Sequence, residues 1–195
     1  MSDVKPSVRR LASRVALENR VWRVDLDHIV DAGGNEVPEY LVLSPRGHAA
    51  GQAGGVAVLP LLEDGRVVLL RNWRHAVNSW SWEAAKGFME KGETPEAAAR
   101  RELAEETGLA CGPDDLVPLG AVFSEPAALA TSAAMFLARG CRPIAGHAPV
   151  EDELGLGKPQ AMTRAAADEI ARSGGMRDAV SLLLLARLPP ATPAR

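Results

Sequence analysis

The chain has 195 residues, 47% of them apolar, and sets 22 basic against 25 acidic side chains for a formal charge of −3. That length holds one domain with its own core plus a small extra element; the apolar share excludes global disorder, and the lack of a basic excess argues against binding a nucleic-acid backbone. Cys111 and Cys141 lack metal-ligand spacing and read as buried thiols rather than a disulfide, while a polar N-terminus without an apolar signal core, and a longest aliphatic run of only Leu182 to Ala186, give a cytoplasmic protein with no membrane span as the expectation.

Met1 to about Ser7 reads as a loose terminus. Leu11 to Leu17, Val21 to Val30 and Tyr40 to Leu43 cluster or alternate β-formers around an Asp31-Ala32-Gly33-Gly34-Asn35 turn, so residues 1–50 read as a small β-rich unit. With few aromatics such a unit buries little alone and must pack on the main domain or on a second copy of the chain. Pro45 to Gly55 is a connecting loop, with His48 on its surface. Val56 to Leu62 and Arg66 to Leu70 form a hairpin around Glu63-Asp64-Gly65, and their unbroken aliphatic character suits strands covered on both faces. In the following stretch, RNWRHAVNSWSWEAAKG, Arg74 is suited to a phosphate or to a glutamate of a site, because guanidinium is a bidentate donor. Trp73, Trp80 and Trp82 offer rings for stacking on a base, although Trp80 and Trp82 alternate along a strand whose one face can simply be core.

The most informative stretch is Gly87 to Leu109, GFMEKGETPEAAARRELAEETGL. Thr94 is an N-cap, Pro95 fits the first helical position and Gly108 suits a left-handed cap, which predicts a helix over Pro95 to Thr107. Glu102, Glu105 and Glu106 share one face of it, with Ala98 a turn below. Like charges at this spacing cost about 0.2–0.5 kcal/mol per pair, and glutamates in a last turn oppose the helix dipole by about 0.3–1 kcal/mol each. A hard divalent cation offsets both terms; the alternative is a solvated acidic face.

Beyond the helix, Leu116 to Phe123 and Ala133 to Ala138 read as strands either side of Ser124-Glu125-Pro126. Ala145 to Gly157 is a loop carrying His147, Glu151, Asp152 and Glu153. Thr163 to Arg172 is a capped helix, and Asp178 to Arg187 is a very aliphatic, largely buried one. Residues 51–190 then make the main domain and 191–195 a tail.

Across the informative stretch, Glu93 follows Gly87 by six residues and Arg101 follows Glu93 by eight, leading into Arg101-Glu102-Leu103, Glu105-Glu106 and Gly108-Leu109. This resembles the Nudix box: glycine, five residues, glutamate, seven residues, then Arg-Glu-apolar-x-Glu-Glu-x-Gly-apolar, matched at every specified position. The resemblance implies an α/β/α sandwich with a mixed sheet and hydrolysis, dependent on Mg²⁺ or Mn²⁺, of a nucleoside diphosphate linked to another group. It further implies that Glu102, Glu105 and Glu106 hold metal with the backbone carbonyl of Lys86, that Glu105 belongs to the catalytic set, and that Gly87 and a Glu93–Arg101 ion pair give structural support.

Among Nudix enzymes the chain resembles the ADP-ribose pyrophosphatases. Their Gln-Tyr-Arg-like triplet and Glu-x-Pro-x-Gly segment fall on Asn72-Trp73-Arg74 and Glu83-Ala84-Ala85-Lys86-Gly87, with Ala85 replacing the proline. That implies substrate binding by Trp73, Arg74 and Glu83, water positioning by Glu151 or Glu153, and a homodimer through the N-terminal unit. ADP-ribose is the first substrate implied, another nucleoside diphosphate sugar the second and a dinucleotide such as NADH the third. Pro126 fits the family's later loop, whereas Ala127 stands in place of a glycine and Thr131 in place of a glutamate. The rival from another class is a Nudix-like module that senses a ligand without hydrolysis.

Overall fold

The computed structural model describes residues 7–47, 51–149 and 154–188 and divides into two units, one of residues 1–52 with 125–131, the other of 53–124 with 132–195. The first unit is an antiparallel sheet in the order β1 (Arg9–Glu18), β2 (Trp22–Val30), β3 (Glu36–Pro45). Asp31 closes the β2–β3 turn by accepting the Asn35 backbone and side-chain N–H groups at 2.9 and 2.8 Å. Residues 125–131 join this unit through the backbone. Leu43 N–H donates to Ala128 O at 2.7 Å and Ala130 N–H to Leu43 O at 2.9 Å, while the Tyr40 hydroxyl donates to Ala127 O. Ala127 and Thr131, the two departures from the family's loop, are therefore spent here on local structure, Thr131 donating to Gln52 O at 3.1 Å.

The second unit is the mixed-sheet sandwich that the resemblance implied. Its sheet runs β11 (Pro159–Met162), β5 (Val67–Arg74), β4 (Ala53–Leu62), β10 (Ser132–Pro143), β8 (Leu109–Ala110), with β6 (Ser79–Glu83) on β5, β7 (Ala85–Phe88) on β4 and β9 (Leu116–Val122) on β10. The β4–β10 pairing is parallel and the others are antiparallel. Helix α1 (Pro95–Thr107) covers one face; α2 (Arg164–Arg172) and α3 (Ala179–Ala186) cover the other.

The two-residue period of a strand explains the aliphatic runs. Val56, Val58, Val68, Leu70 and Phe136 point into the core under α1, while their neighbours Ala57, Leu59, Val67, Leu69 and Met135 point into the core under α3. Burying each large aliphatic side chain contributes about 1.5–3 kcal/mol. Several elements run past the sequence reading. β5 extends to Arg74 because it pairs with β6 from Leu70–Glu83 to Arg74–Ser79, and β10 extends to Pro143 because β8 pairs with its end. The short β8 and β11 carry too few residues to show a period of their own.

Candidate active site

Helix α1 starts where Thr94 accepts the Ala97 N–H at 3.2 Å and ends at Gly108, whose left-handed φ of 69° lets its N–H reach Ala104 O. The interval between these caps fixes which side chains meet the sheet. Glu102 and Glu106 are buried beside Ala98, Ala99 and Leu103, whereas Glu105 lies at the rim with its side chain 46% exposed. Glu106 is seated by the backbone of β7, Oε2 accepting the Lys86 N–H at 3.0 Å. An extended residue sends its N–H and C=O to the same edge, so the Lys86 carbonyl faces the Glu106 side too. Glu102 lies over Gly87, where a Cβ would come within 2.1 Å of Oε1. Residue 87 is glycine because that carboxylate occupies the space of a side chain.

Arg101 ties the helix to the loop before it. Its Nε and Nη2 grip Glu93 at 3.1 and 3.0 Å, Nη2 also reaches Phe88 O at 2.9 Å, and Nη1 donates to Glu102 at 2.7 Å and Glu105 at 3.0 Å. Donation from Arg101, with help from the Glu90 N–H, holds the Glu93 carboxyl below its ordinary range. Arg101 stands between Glu102 and Glu105, and no group of three acidic, histidine or cysteine side chains converges as a metal cluster among the described residues. The donors themselves fit a hard divalent ion: they are oxygens throughout, two of the carboxylates are buried, and one rests in a cradle that a Cβ would fill.

Beside this face lies a second charged group. Glu83 is 1% exposed, and its carboxylate takes Arg74 Nε at 3.1 and 3.0 Å and Nη2 at 2.5 Å, Lys86 Nζ at 3.0 Å, and the Asn72 amide at 3.4 Å. Of the two partners open to Arg74 in the sequence, a phosphate or a glutamate, the structure pairs it with Glu83. Lys86 Nζ also reaches Asp178 at 2.5 Å. Trp73 and Trp80 meet edge to face at 5.5 Å, with the Arg71 guanidinium 5.4 Å from the centre of the Trp80 ring, while Trp82 packs against the core under α3. His147 Nε2 sits 3.1 Å from Ala104 O, at the last turn of α1. Glu151 and Glu153 lie outside the described residues.

Sequence reasoning passed over Asn72, Asp178, Gly155 and Gly157. Asn72 is buried and accepts the Gly157 N–H at 3.0 Å; a Cβ on Gly157 would meet Arg71 O at 2.1 Å, and one on Gly155 would meet Trp73 O at 2.7 Å. The Gly155-Leu156-Gly157 spacing was the available signal for this close approach to β5.

A mixed sheet between helices, with buried glutamates of one helix set against the strand that feeds it, defines an α/β/α protein with an acidic helix face beside its sheet. Residues 51–153 match the NUDIX domain, and the chain belongs to the Nudix family. It is similar to the ADP-ribose pyrophosphatase of Bacillus subtilis, 42% identical over 55 residues, which are 28% of this chain and 30% of that protein. It is also similar to the ADP-sugar pyrophosphatase of Mus musculus, 45% identical over 60 residues, 29% of this chain and 28% of that one. The matched stretch thus spans less than a third of either relative. In the fold, the crystal structure of an ADP compounds hydrolase superposes with a TM-score of 0.75, covering 94% of this chain and 93% of that one at 18% identity.

Proposed function

We propose that this protein is a divalent-metal-dependent pyrophosphohydrolase of nucleoside diphosphate derivatives, cleaving ADP-ribose to AMP and ribose 5-phosphate, with other nucleoside diphosphate sugars and NADH-like dinucleotides as the next substrates. The observation that carries this reading is the burial of Glu102 and Glu106 against β7, Glu106 bonded to the Lys86 N–H and Glu102 resting on Gly87. Two buried carboxylates on one helix face cost desolvation, which Arg101 at Glu102 and the Lys86 N–H at Glu106 offset within the chain and a bound divalent ion would offset further. The names of the matched pyrophosphatases, over their short shared stretch, support the substrate class.

Glu102, Glu105, Glu106 and the Lys86 carbonyl would hold Mg²⁺ or Mn²⁺, which when bound supplies charge neutralisation for the diphosphate and acidifies its water. The chain's own residues do the rest. Arg101 and Glu93 fix the helix against the preceding loop. Arg74 gives Nε and Nη2 to Glu83 and, with its side chain 43% exposed, would offer its remaining N–H groups to an anionic oxygen. Trp73 and Trp80 form an aromatic ledge for a base. Glu151 or Glu153 takes the role of orienting the attacking water. A homodimer through the N-terminal sheet is part of the proposal; Leu11, Val15 and Leu17 are exposed apolar side chains of β1. So is a cytoplasmic setting, in keeping with two free cysteines; no helix among the described residues is long and apolar enough to cross a membrane.

The test is release of phosphate from ADP-ribose through a coupled phosphatase, with and without Mg²⁺, beside a panel of ADP-sugars and NADH ranked by kcat/KM. Glu106→Gln keeps an acceptor for the Lys86 N–H but loses the charge, and should lower kcat by about 10²–10³-fold. Full activity in that variant, or ligand binding without turnover across the panel in the wild type, would refute the reading.

A further inference from the structure

Four successive backbone or side-chain ties run from the segment before and within α3 to the strands that enter the site. Trp82 N–H donates to Gly175 O at 2.9 Å, Arg177 N–H to Ser81 Oγ at 3.1 Å and Ala84 N–H to Ser181 Oγ at 3.0 Å, and Lys86 Nζ reaches Asp178 Oδ1 at 2.5 Å. Asp178 is also the N-cap of α3, its Oδ2 taking the Ser181 N–H at 2.8 Å and the Ser181 hydroxyl at 2.7 Å. Ser181 is 1% exposed in an otherwise aliphatic helix, AVSLLLLA. Its hydroxyl serves two masters, donating to Asp178 and accepting from Ala84. A buried polar residue with every bond used, in a helix that needs none for its own packing, is there to specify a neighbour.

Ser181 fixes Asp178 and Ala84, and through Asp178 it reaches Lys86. The Lys86 backbone N–H seats Glu106, and its ammonium sits between Glu83 and Asp178. We propose that Asp178, with Ser181, is a positioning pair for the active site: it clamps the Lys86 ammonium so that the Lys86 backbone presents its N–H to Glu106 and its carbonyl to the metal-binding face. This rests on the proposed hydrolytic reading and adds to it a role for the C-terminal helix. Glu83 and Asp178 each lie within 3.0 Å of one Nζ, so loss of the ammonium leaves a buried and a partly buried carboxylate sharing one site without the cation between them.

The arrangement makes an unusual demand on a mutant series. Lys86→Met keeps the backbone carbonyl and should lower kcat by about ten- to a hundredfold through misplacement of Glu106. Asp178→Asn, which can still cap α3, should cost less. The double variant Lys86→Met/Asp178→Asn removes the surplus carboxylate and should recover most of the kcat lost by Lys86→Met alone, while Lys86→Arg retains kcat within a few-fold. KM for the nucleotide should move less than kcat throughout. Assays run well below each variant's melting temperature separate this from simple instability, because a purely structural pair would lower Tm and leave kcat per folded molecule unchanged. Single variants with wild-type kcat, or a double variant no better than Lys86→Met, overturn the positioning role. Failure of the hydrolytic reading shows differently, as a wild type inactive on every substrate; the same recovery is then read in Mg²⁺ affinity by calorimetry, where its absence again overturns the clamp.

Discussion

Gly87→Ala should disable the site while leaving the fold standing. Gly87 pairs with Val56 in the β4–β7 ladder and is not among the glycines with positive φ, so the backbone accepts alanine. The added Cβ would lie 2.1, 2.3 and 2.5 Å from Oε1, Cδ and Oε2 of Glu102. Moving the nearest oxygen out to ordinary contact at about 3.4 Å requires a shift of about 1.3 Å. The carboxylate cannot retreat into the helix, because Ala98, Ala99 and Leu103 fill that side, so it swings outward and leaves Arg101. Overpacking of this kind costs about 1–3 kcal/mol, or several degrees of Tm at about 2–4 °C per kcal/mol for a chain of this size. A displacement near 1 Å in a positioned ligand costs about 10²-fold in rate. The assay is coupled phosphate release together with thermal melts at rising Mg²⁺. The wild type should gain about 2.7 kcal/mol of stability at 100 times its Kd, and the variant should lose both that gain and its activity. A variant with wild-type kcat/KM and an undiminished Mg²⁺ shift refutes the argument that Glu102 is seated by the missing side chain.

Acid stability should report the Glu93–Arg101 pair. Arg101 lowers the Glu93 carboxyl below its unfolded value of 4.5, so the pair's contribution is present above that pH and is lost as pH falls through the lower, folded value. Tm of Arg101→Met should therefore depend less on pH below about 4.5 than that of the wild type; parallel curves would contradict the pairing. Brief alkylation at neutral pH should label Cys111 before Cys141, since burial pushes the Cys141 thiol up to about 12 and leaves it almost no thiolate. Equal labelling by mass spectrometry would count against that burial. Val15→Asp, at an exposed apolar position of β1, should convert the proposed dimer to monomer in light scattering with no loss of secondary structure. A monomeric wild type would remove the dimer from the proposal.

What the sequence reveals here depends on how far apart the partners lie along the chain. Helix α1 runs over Pro95–Thr107 as Thr94, Pro95 and Gly108 indicate, because caps and left-handed turns are settled within one turn of chain. The faces of β4 and β5 follow from a two-residue period, and the Glu93–Arg101 pair spans only eight residues. The partners that Asn72, Ala84 and Lys86 find beyond their own hairpin are another matter. Lys86 and Asp178 are 92 residues apart, Ala84 and Ser181 are 97 apart, and Asn72 and Gly157 are 85 apart. Nothing local marks Asp178 as more than the cap of an aliphatic helix, and nothing marks Glu83 as a carboxylate already enclosed by three of the chain's own donor side chains. The Nudix stretch carries its own local logic and can be read directly. The shell that holds it is assembled by tertiary contacts: Asp178 and Ser181, far along the chain, hold Lys86 and Ala84, on the strand segment that follows Glu83, and Glu83 itself grips Arg74 and Lys86.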